Sequence, residues 1–123
     1  MNAKEKTAIL IQGTSKNVIV RCNNIKDAEH NAIQVVGISG SMLVDSNTIN
    51  GTGSRAMRIT TKDGAVMAIM NNVITNVNTN PAEAAENNGE IIKVTGVVVD
   101  GAMANNTCDG NKLVFDNGLA KVV

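Results

Sequence analysis

Tryptophan and tyrosine are missing from this chain, and phenylalanine occurs once, at Phe115. Aromatic rings are the usual large filling groups of a core. A core built without them must be narrow and packed with Ile, Val, Leu and Met. The same shortage removes the aromatic platforms on which bound sugars commonly stack. The two cysteines, Cys22 and Cys108, form no C-x-x-C pair. They are too few to staple a fold, and both are expected as free thiols, with Cys108 buried. The single histidine, His30, cannot build a zinc site alone; it reads as an exposed loop residue. No apolar run approaches the ~18 residues of a membrane-spanning helix, and the start MNAKEKTAIL lacks the apolar core of a signal peptide. Lys and Arg number 11, Asp and Glu 11. Without a basic surplus neither nucleic acid nor an anionic membrane is an expected partner.

What the chain does contain is repetition. Asn71-Asn72-Val73 has counterparts 24 residues earlier, at Asn47-Thr48-Ile49, and 24 earlier again, at Asn23-Asn24-Ile25. A fourth follows 35 residues later, at Asn106-Thr107-Cys108. Ile9, Ile33, Met57 and Ile92 share these offsets, as do Ile11, Val35, Ile59 and Val94, and then Gly13, Gly37, Thr61 and Gly96. A fixed period with short apolar alternations inside it is a solenoid signature. It predicts one domain over residues 1–123, all-β, folded as a single-stranded parallel β-helix of about four to five coils. Asn23, Asn47, Asn71 and Asn106 would form an asparagine ladder. Asn tolerates the positive φ expected at a tight bend, and stacked amides can hydrogen-bond along the column.

Between these marks lie short strands and polar turns, the latter at Lys4-Glu5-Lys6 and at 61–64, among others. The jump from 24 to 35 places an 11-residue insertion within 75–89, TNVNTNPAEAAENNG. Asn80 followed by Pro81 marks a short helix there, as N-cap and first helical residue. The insertion would cover a groove, touch a neighbouring subunit, meet a receptor or simply protrude. Neither end shows an amphipathic helix to serve as a cap, so both ends are expected to expose strand edges. That favours a fragment of a longer chain, or an oligomer.

The pattern V-x-V-x-x-N-x-I, read at Val18 to Ile25, Met42 to Ile49 and Val66 to Val73, resembles the right-handed, pectate-lyase-like parallel β-helix family. That family includes pectate lyases, other polysaccharide-degrading enzymes, and bacteriophage tailspikes and appendages. The resemblance covers nearly the whole chain and rests on scaffold residues. It implies a right-handed helix serving as a structural or host-recognition segment of a phage tailspike or tail appendage. Such a segment would be homotrimeric, and would sit in the virion or outside the cell after assembly. The alternative it implies is a polysaccharide lyase or glycoside hydrolase core acting on a bacterial or plant glycan.

Two outward faces carry candidates. In the second strand of each coil, with Val20, Val44 and Ala68 inward, the outward positions are Ile19, Leu43 and Met67, with Ile69 beside them. An apolar stripe on an outer face marks an interface, so these four are the expected subunit contact. In the first strand Gln34, Arg58 and Lys93 face outward and are the expected contact for a cell-surface polysaccharide, the two cations suiting acidic sugars. No catalytic residue is assigned. Asp45 and Asp100 fall on different columns, and Asp63, Glu83, Glu86 and Glu90 do not share adjacent outward positions, so the paired carboxylates of a hydrolase are not in evidence. No metal site and no cofactor is expected.

Overall fold

The computed structural model describes residues 7–13, 16–61, 66–116 and 118–122. The expected turn at Lys4-Glu5-Lys6 lies outside the described residues, as do 62–65 of the turn after Thr61 and the side chains of 97–101. The described chain is all-β: fourteen strands and one six-residue helix.

The first twelve strands stack as three parallel columns. β1 (Ile9–Gln12), β4 (Ile33–Ile38), β7 (Met57–Thr61) and β10 (Ile92–Thr95) form one. β2 (Asn17–Arg21), β5 (Ser41–Asp45), β8 (Val66–Met70) and β11 (Val97–Ala104) form the second. β3 (Asn24–Ala28), β6 (Thr48–Thr52), β9 (Val73–Thr75) and β12 (Thr107–Cys108) form the third. Parallel pairing at ~4.8 Å sets like side chains one above another. Ile33, Met57 and Ile92 therefore make one fully buried file, and Val35 and Ile59 continue into Val94 in the next. Each such aliphatic group contributes about 1.5–3 kcal/mol on burial. The aliphatic core anticipated from the missing aromatics is the core observed.

The first column keeps the expected offsets of 24, 24 and 35 as far as Thr60, but Thr61 pairs with Ile38 and not with the expected Gly37, past a bulge at the end of β4. The other two columns do not keep them. Ser41 pairs with Val66, Met42 with Met67 and Val44 with Ile69, an offset of 25, and Ile49 pairs with Ile74 at the same offset. One extra residue thus sits between Thr60 and Val66, counted from the Val36–Thr60 pair. The remaining ten residues of the expected insertion lie between β9 and β10: eight positions separate Ile49 from Met57, but eighteen separate Ile74 from Ile92.

This single-residue change moves the asparagine ladder. The observed ladder is Asn23, Asn47, Asn72 and Asn106; Asn71, the expected third member, is exposed and lies outside it. Each rung repeats one geometry. Asn47 Oδ1 accepts from the main-chain N–H of Asn23 at 3.0 Å and from its Nδ2 at 2.9 Å. Asn72 Oδ1 accepts likewise from Asn47, and Asn106 Oδ1 from Asn72, at 2.9–3.1 Å. In return, each Nδ2 donates to a main-chain carbonyl of the preceding repeat: Asn47 to Val20, Asn72 to Val44 and Asn106 to Ile69.

Positive φ is also not where it was expected. The ladder asparagines do not adopt it; the residues before them do, Cys22, Ser46, Asn71 and Asn105, at φ 56–59°. The ladder selects Asn for its amide, which pairs a buried N–H and a buried C=O that the bend strands would otherwise leave unpaired.

At the C-terminal end two of the three columns are covered, where two open ends were expected, and β11 stays an edge strand among the described residues. β13 (Asn111–Asp116) and β14 (Leu119–Val122) form an antiparallel hairpin. β13 pairs with β12, and β14 meets β10 at Lys93–Leu119. The ten-stranded mixed sheet therefore runs β1-β4-β7-β10-β14-β13-β12-β9-β6-β3, curling across that end, beside the four-stranded sheet β11-β8-β5-β2. The turn from β12 to β13 is Asp109-Gly110, both at positive φ, the two-residue geometry that matches strand twist. Leu113 and Ala120 are buried beneath the hairpin, and Phe115 packs on the core.

The ladder assignment makes a direct prediction. Asn72→Ala would strip side-chain partners from the buried Val44 O and Asn47 N–H, and one of two donors from Asn106 Oδ1, and should cost about 3 kcal/mol or more. Asn71→Ala loses a hydrogen bond to Asp45, a longer one from Asn105 and left-handed tolerance, together about 2 kcal/mol. Urea unfolding of both variants measures the difference; equal losses would contradict the register.

Candidate functional site

Two outward faces and the insertion hold the candidate residues. On the first column, Gln34, Arg58 and Lys93 are stacked by the observed register, with Leu10 above them. Gln34 is engaged locally: its Oε1 accepts from Asn31 Nδ2 at 3.1 Å and from Thr7 Oγ1 at 3.3 Å. Arg58 is exposed and Lys93 half-buried, and neither has an ion-pair partner among the described residues. Below Lys93 opens a cavity of about 600 Å³ bounded by Glu90, Lys93, Thr95, Gly118 and Leu119. It exists because the cap strand β14 touches β10 at one residue pair only.

Glu90 is the one acid at this cavity, and it is already committed. Its Oε1 takes Arg55 Nε at 2.9 Å and Nη2 at 2.6 Å, with both side chains largely buried. Of the other acids considered from sequence, Glu83 faces His30 and Asp63 lies outside the described residues. Among the described residues, no three His, Cys, Asp or Glu side chains gather as a metal would require. No helix is long and apolar enough to cross a membrane.

On the second column the observed register corrects the expected stripe. Ile19 is 68% exposed and Leu43 half-buried, and both point outward. Met67 and Ile69 do not; they are 1% and 0% exposed and belong to the core. The extra residue before β8 is the reason. Side chains alternate with period two, so a slip of one exchanges inward for outward along the whole strand. The residue level with Ile19 and Leu43 is Ala68, flanked by Val66 and Met70. The outer face of β2, β5 and β8 remains apolar along Ile19, Leu43 and Ala68, with different members. The cue was present in the sequence: Met67-x-Ile69-x-x-Asn72-x-Ile74 fits the repeat with larger inward groups than Val66-x-Ala68-x-x-Asn71-x-Val73.

At one margin of this face Asp45 collects Asn71 Nδ2 at 3.0 Å, Ser46 Oγ at 2.8 Å and Arg21 Nε at 3.3 Å. The hydrogen bonds from Asn71 and then Ser46, aided by Arg21, hold its carboxyl below the usual value near 3.8 against the opposing effect of burial. Asn71, displaced from the ladder, thus acquires a different task.

The insertion is bound to its own stack. Asn80 caps α1 (Pro81–Glu86) through Ala82 N, with Pro81 first in the helix. Buried Asn87 is the hub: its Nδ2 donates to Ser54 Oγ at 3.0 Å and Asn78 Oδ1 at 2.8 Å, and its Oδ1 accepts from Glu90 N. Asn78 Nδ2 donates to Glu90 O. His30 is half-buried rather than an exposed loop residue, with its Nδ1 3.5 Å from Glu83. The segment is a polar clamp over the 52–55 connection, which is why so many of its residues are Asn. Of the two cysteines, Cys22 is exposed, whereas burial and then Asp109 push the Cys108 thiol up to about 11.

Two outcomes follow. Asp45 has a depressed pKa in the folded state, so its contribution is present above its ordinary value and is lost as pH falls through the lower folded value. The melting-temperature gap between wild type and Asp45→Asn should be constant above pH ~5 and shrink below pH ~4; a gap that does not change with pH would contradict this. A thiol reagent should label Cys22 in the folded protein and Cys108 only after denaturation, since thiolate is the reactive form. Mass spectrometry of labelled peptides reads this, and fast Cys108 labelling would contradict its burial.

Comparisons of the chain with protein-family models, with curated proteins and with solved structures gave no match.

Proposed function

We propose that this chain is a right-handed parallel β-helix segment with a structural role in a multi-subunit appendage of the bacteriophage tailspike kind, packed side by side with copies of itself as a homotrimer. In this reading the three parallel columns are the three walls of a closed coil, and the protein works in the virion or outside the cell after assembly. The observation that carries the reading is the outer face of β2, β5 and β8. Ile19, Leu43 and Ala68 stand in one register on it, where a solvated sheet face would alternate to polar side chains. A rigid stack with an apolar file on one outer wall is suited to assembly.

A second role for the same segment draws support from Arg58 and Lys93. They are adjacent in register and form no ion pair among the described residues. Such a pair suits an acidic cell-surface polysaccharide, and a lyase or hydrolase core would use the same wall. Glycan binding or cleavage lost in Arg58→Ala and Lys93→Ala is the mark of that role.

The test of the first reading is mass in solution, by light scattering on a sizing column, for wild type and Leu43→Glu. A wild-type trimer that Leu43→Glu dissociates, with the variant still folded by circular dichroism, is the expected result. A monomeric wild type would overturn lateral assembly.

A further inference from the structure

We propose that the cavity between β10 and the cap hairpin, together with the one that adjoins it, is a binding site for an aliphatic carboxylate, a single carboxylate group on a short saturated body. The site is built by the two departures from the repeat. The end of the insertion supplies Asn88 and Glu90, and the hairpin supplies residues 118–122. Segments that a rigid scaffold holds outside its regular elements are where binding groups concentrate.

The cavity of about 600 Å³ beside Lys93 is bordered also by Val94, Thr95 and Leu119. A second, of about 500 Å³, lies against Asn88, Ile91, Ala120, Lys121 and Val122, and Glu90 and Leu119 border both. Each falls in the range of small-ligand sites, about 300–1,000 Å³. Gly118 sets the gap. Its main-chain O accepts from Val94 N at 2.7 Å, its φ is +80°, and a Cβ there would collide with Val94 O. Glycine alone lets the turn come so close to β10, and β14 then pairs with β10 at Lys93–Leu119 only.

Charge selects the head of the ligand. Glu90 and Lys93 border one cavity yet form no ion pair, Glu90 being turned to Arg55 at 2.9 Å from Nε and 2.6 Å from Nη2. Those two charges cancel. Lys121 is offset by Asp116 at 3.7 Å. Half-buried Lys93 is then the one cation of the site without an ion-pair partner among the described residues. An ammonium group binds a carboxylate through charge-assisted hydrogen bonds, stronger than neutral ones. The walls select the body. Ile91 and Ala120 are nearly buried, Leu119 is half-buried and Val122 is 46% exposed. None of the described lining residues is aromatic, so no platform for a sugar ring is present among them. Removing apolar area from water favours a saturated chain over such a wall. A carboxylate at Lys93 with its chain across Leu119 toward Ala120 and Val122 meets both demands. The site shares Lys93, but not Gln34 or Arg58, with the wall suited to an acidic polysaccharide.

Octanoate is the probe, titrated into the full chain by isothermal calorimetry. Saturable binding is expected, weakened about tenfold or more in Lys93→Met and in Leu119→Asp, each checked for folding by circular dichroism, and unchanged in Arg58→Ala. Octanol has the body without the charge, and galacturonate has the charge on a hydroxylated ring; each should bind about tenfold or more weakly. Amide NMR shifts on titration should fall on residues 88–96 and 118–122. Absent octanoate binding, octanol binding as tightly as octanoate, or shifts confined to other residues would overturn the proposal. So would galacturonate binding as tightly as octanoate, or a loss in Arg58→Ala with Lys93→Met unaffected, and both of these would leave the acidic-polysaccharide role standing.

Discussion

The bidentate amide contact between successive asparagines at the second bend of each repeat is the constraint on which the rest of the structure depends. At a bend, strand pairing stops, and buried main-chain N–H and C=O groups lose their partners. The desolvation cost of such groups is high. One amide per repeat answers both needs, because its oxygen takes the N–H above and its nitrogen gives to a carbonyl of the preceding repeat. The geometry works only if successive bends lie directly over one another. It therefore fixes the register of the strands on either side, and through them the aliphatic files of the core.

That constraint explains how the chain absorbs irregularity. One added residue before β8 and ten after β9 leave the ladder continuous, because both are taken up in connections rather than at the bend. The larger one is held by amide hydrogen bonds through Asn87, Asn78 and Ser54 and by the Arg55–Glu90 pair, with Val77 packed on the core. The same logic gives the stack its direction. A hairpin turns the chain back at one end and satisfies two of its edges, while among the described residues β1, β2 and β3 are the terminal strands at the other.

The functional reading is a reading of surfaces. The acid beside the cavity under Lys93 is neutralised by Arg55, and the remaining features are an apolar file on one outer wall and a short file of cations. These are means of contact. The asparagine-rich insertion adds no free groups at its anchored side, since its buried amides are spent on holding it down.

Much of this was legible in the chain itself. The repeat, the aliphatic core, the exact files of the first column and the Asn80–Pro81 helix start all follow from residue spacing, because parallel stacking writes itself into sequence as a period. The first turn of the hairpin was legible too, since Asp109-Gly110 is a strong turn pair. Among what spacing alone decided wrongly were the third member of the ladder and two residues of the outer wall. Asn71 and Asn72 are neighbours of one type, and a 24-residue count selects the first. Only the tertiary pairing, in which Asn72 meets Asn47 and Asn106 at 2.9–3.0 Å, selects the second. The physical reason is that a strand's sequence fixes which residues alternate, while its pairing with the strand above fixes which of the two sets is buried.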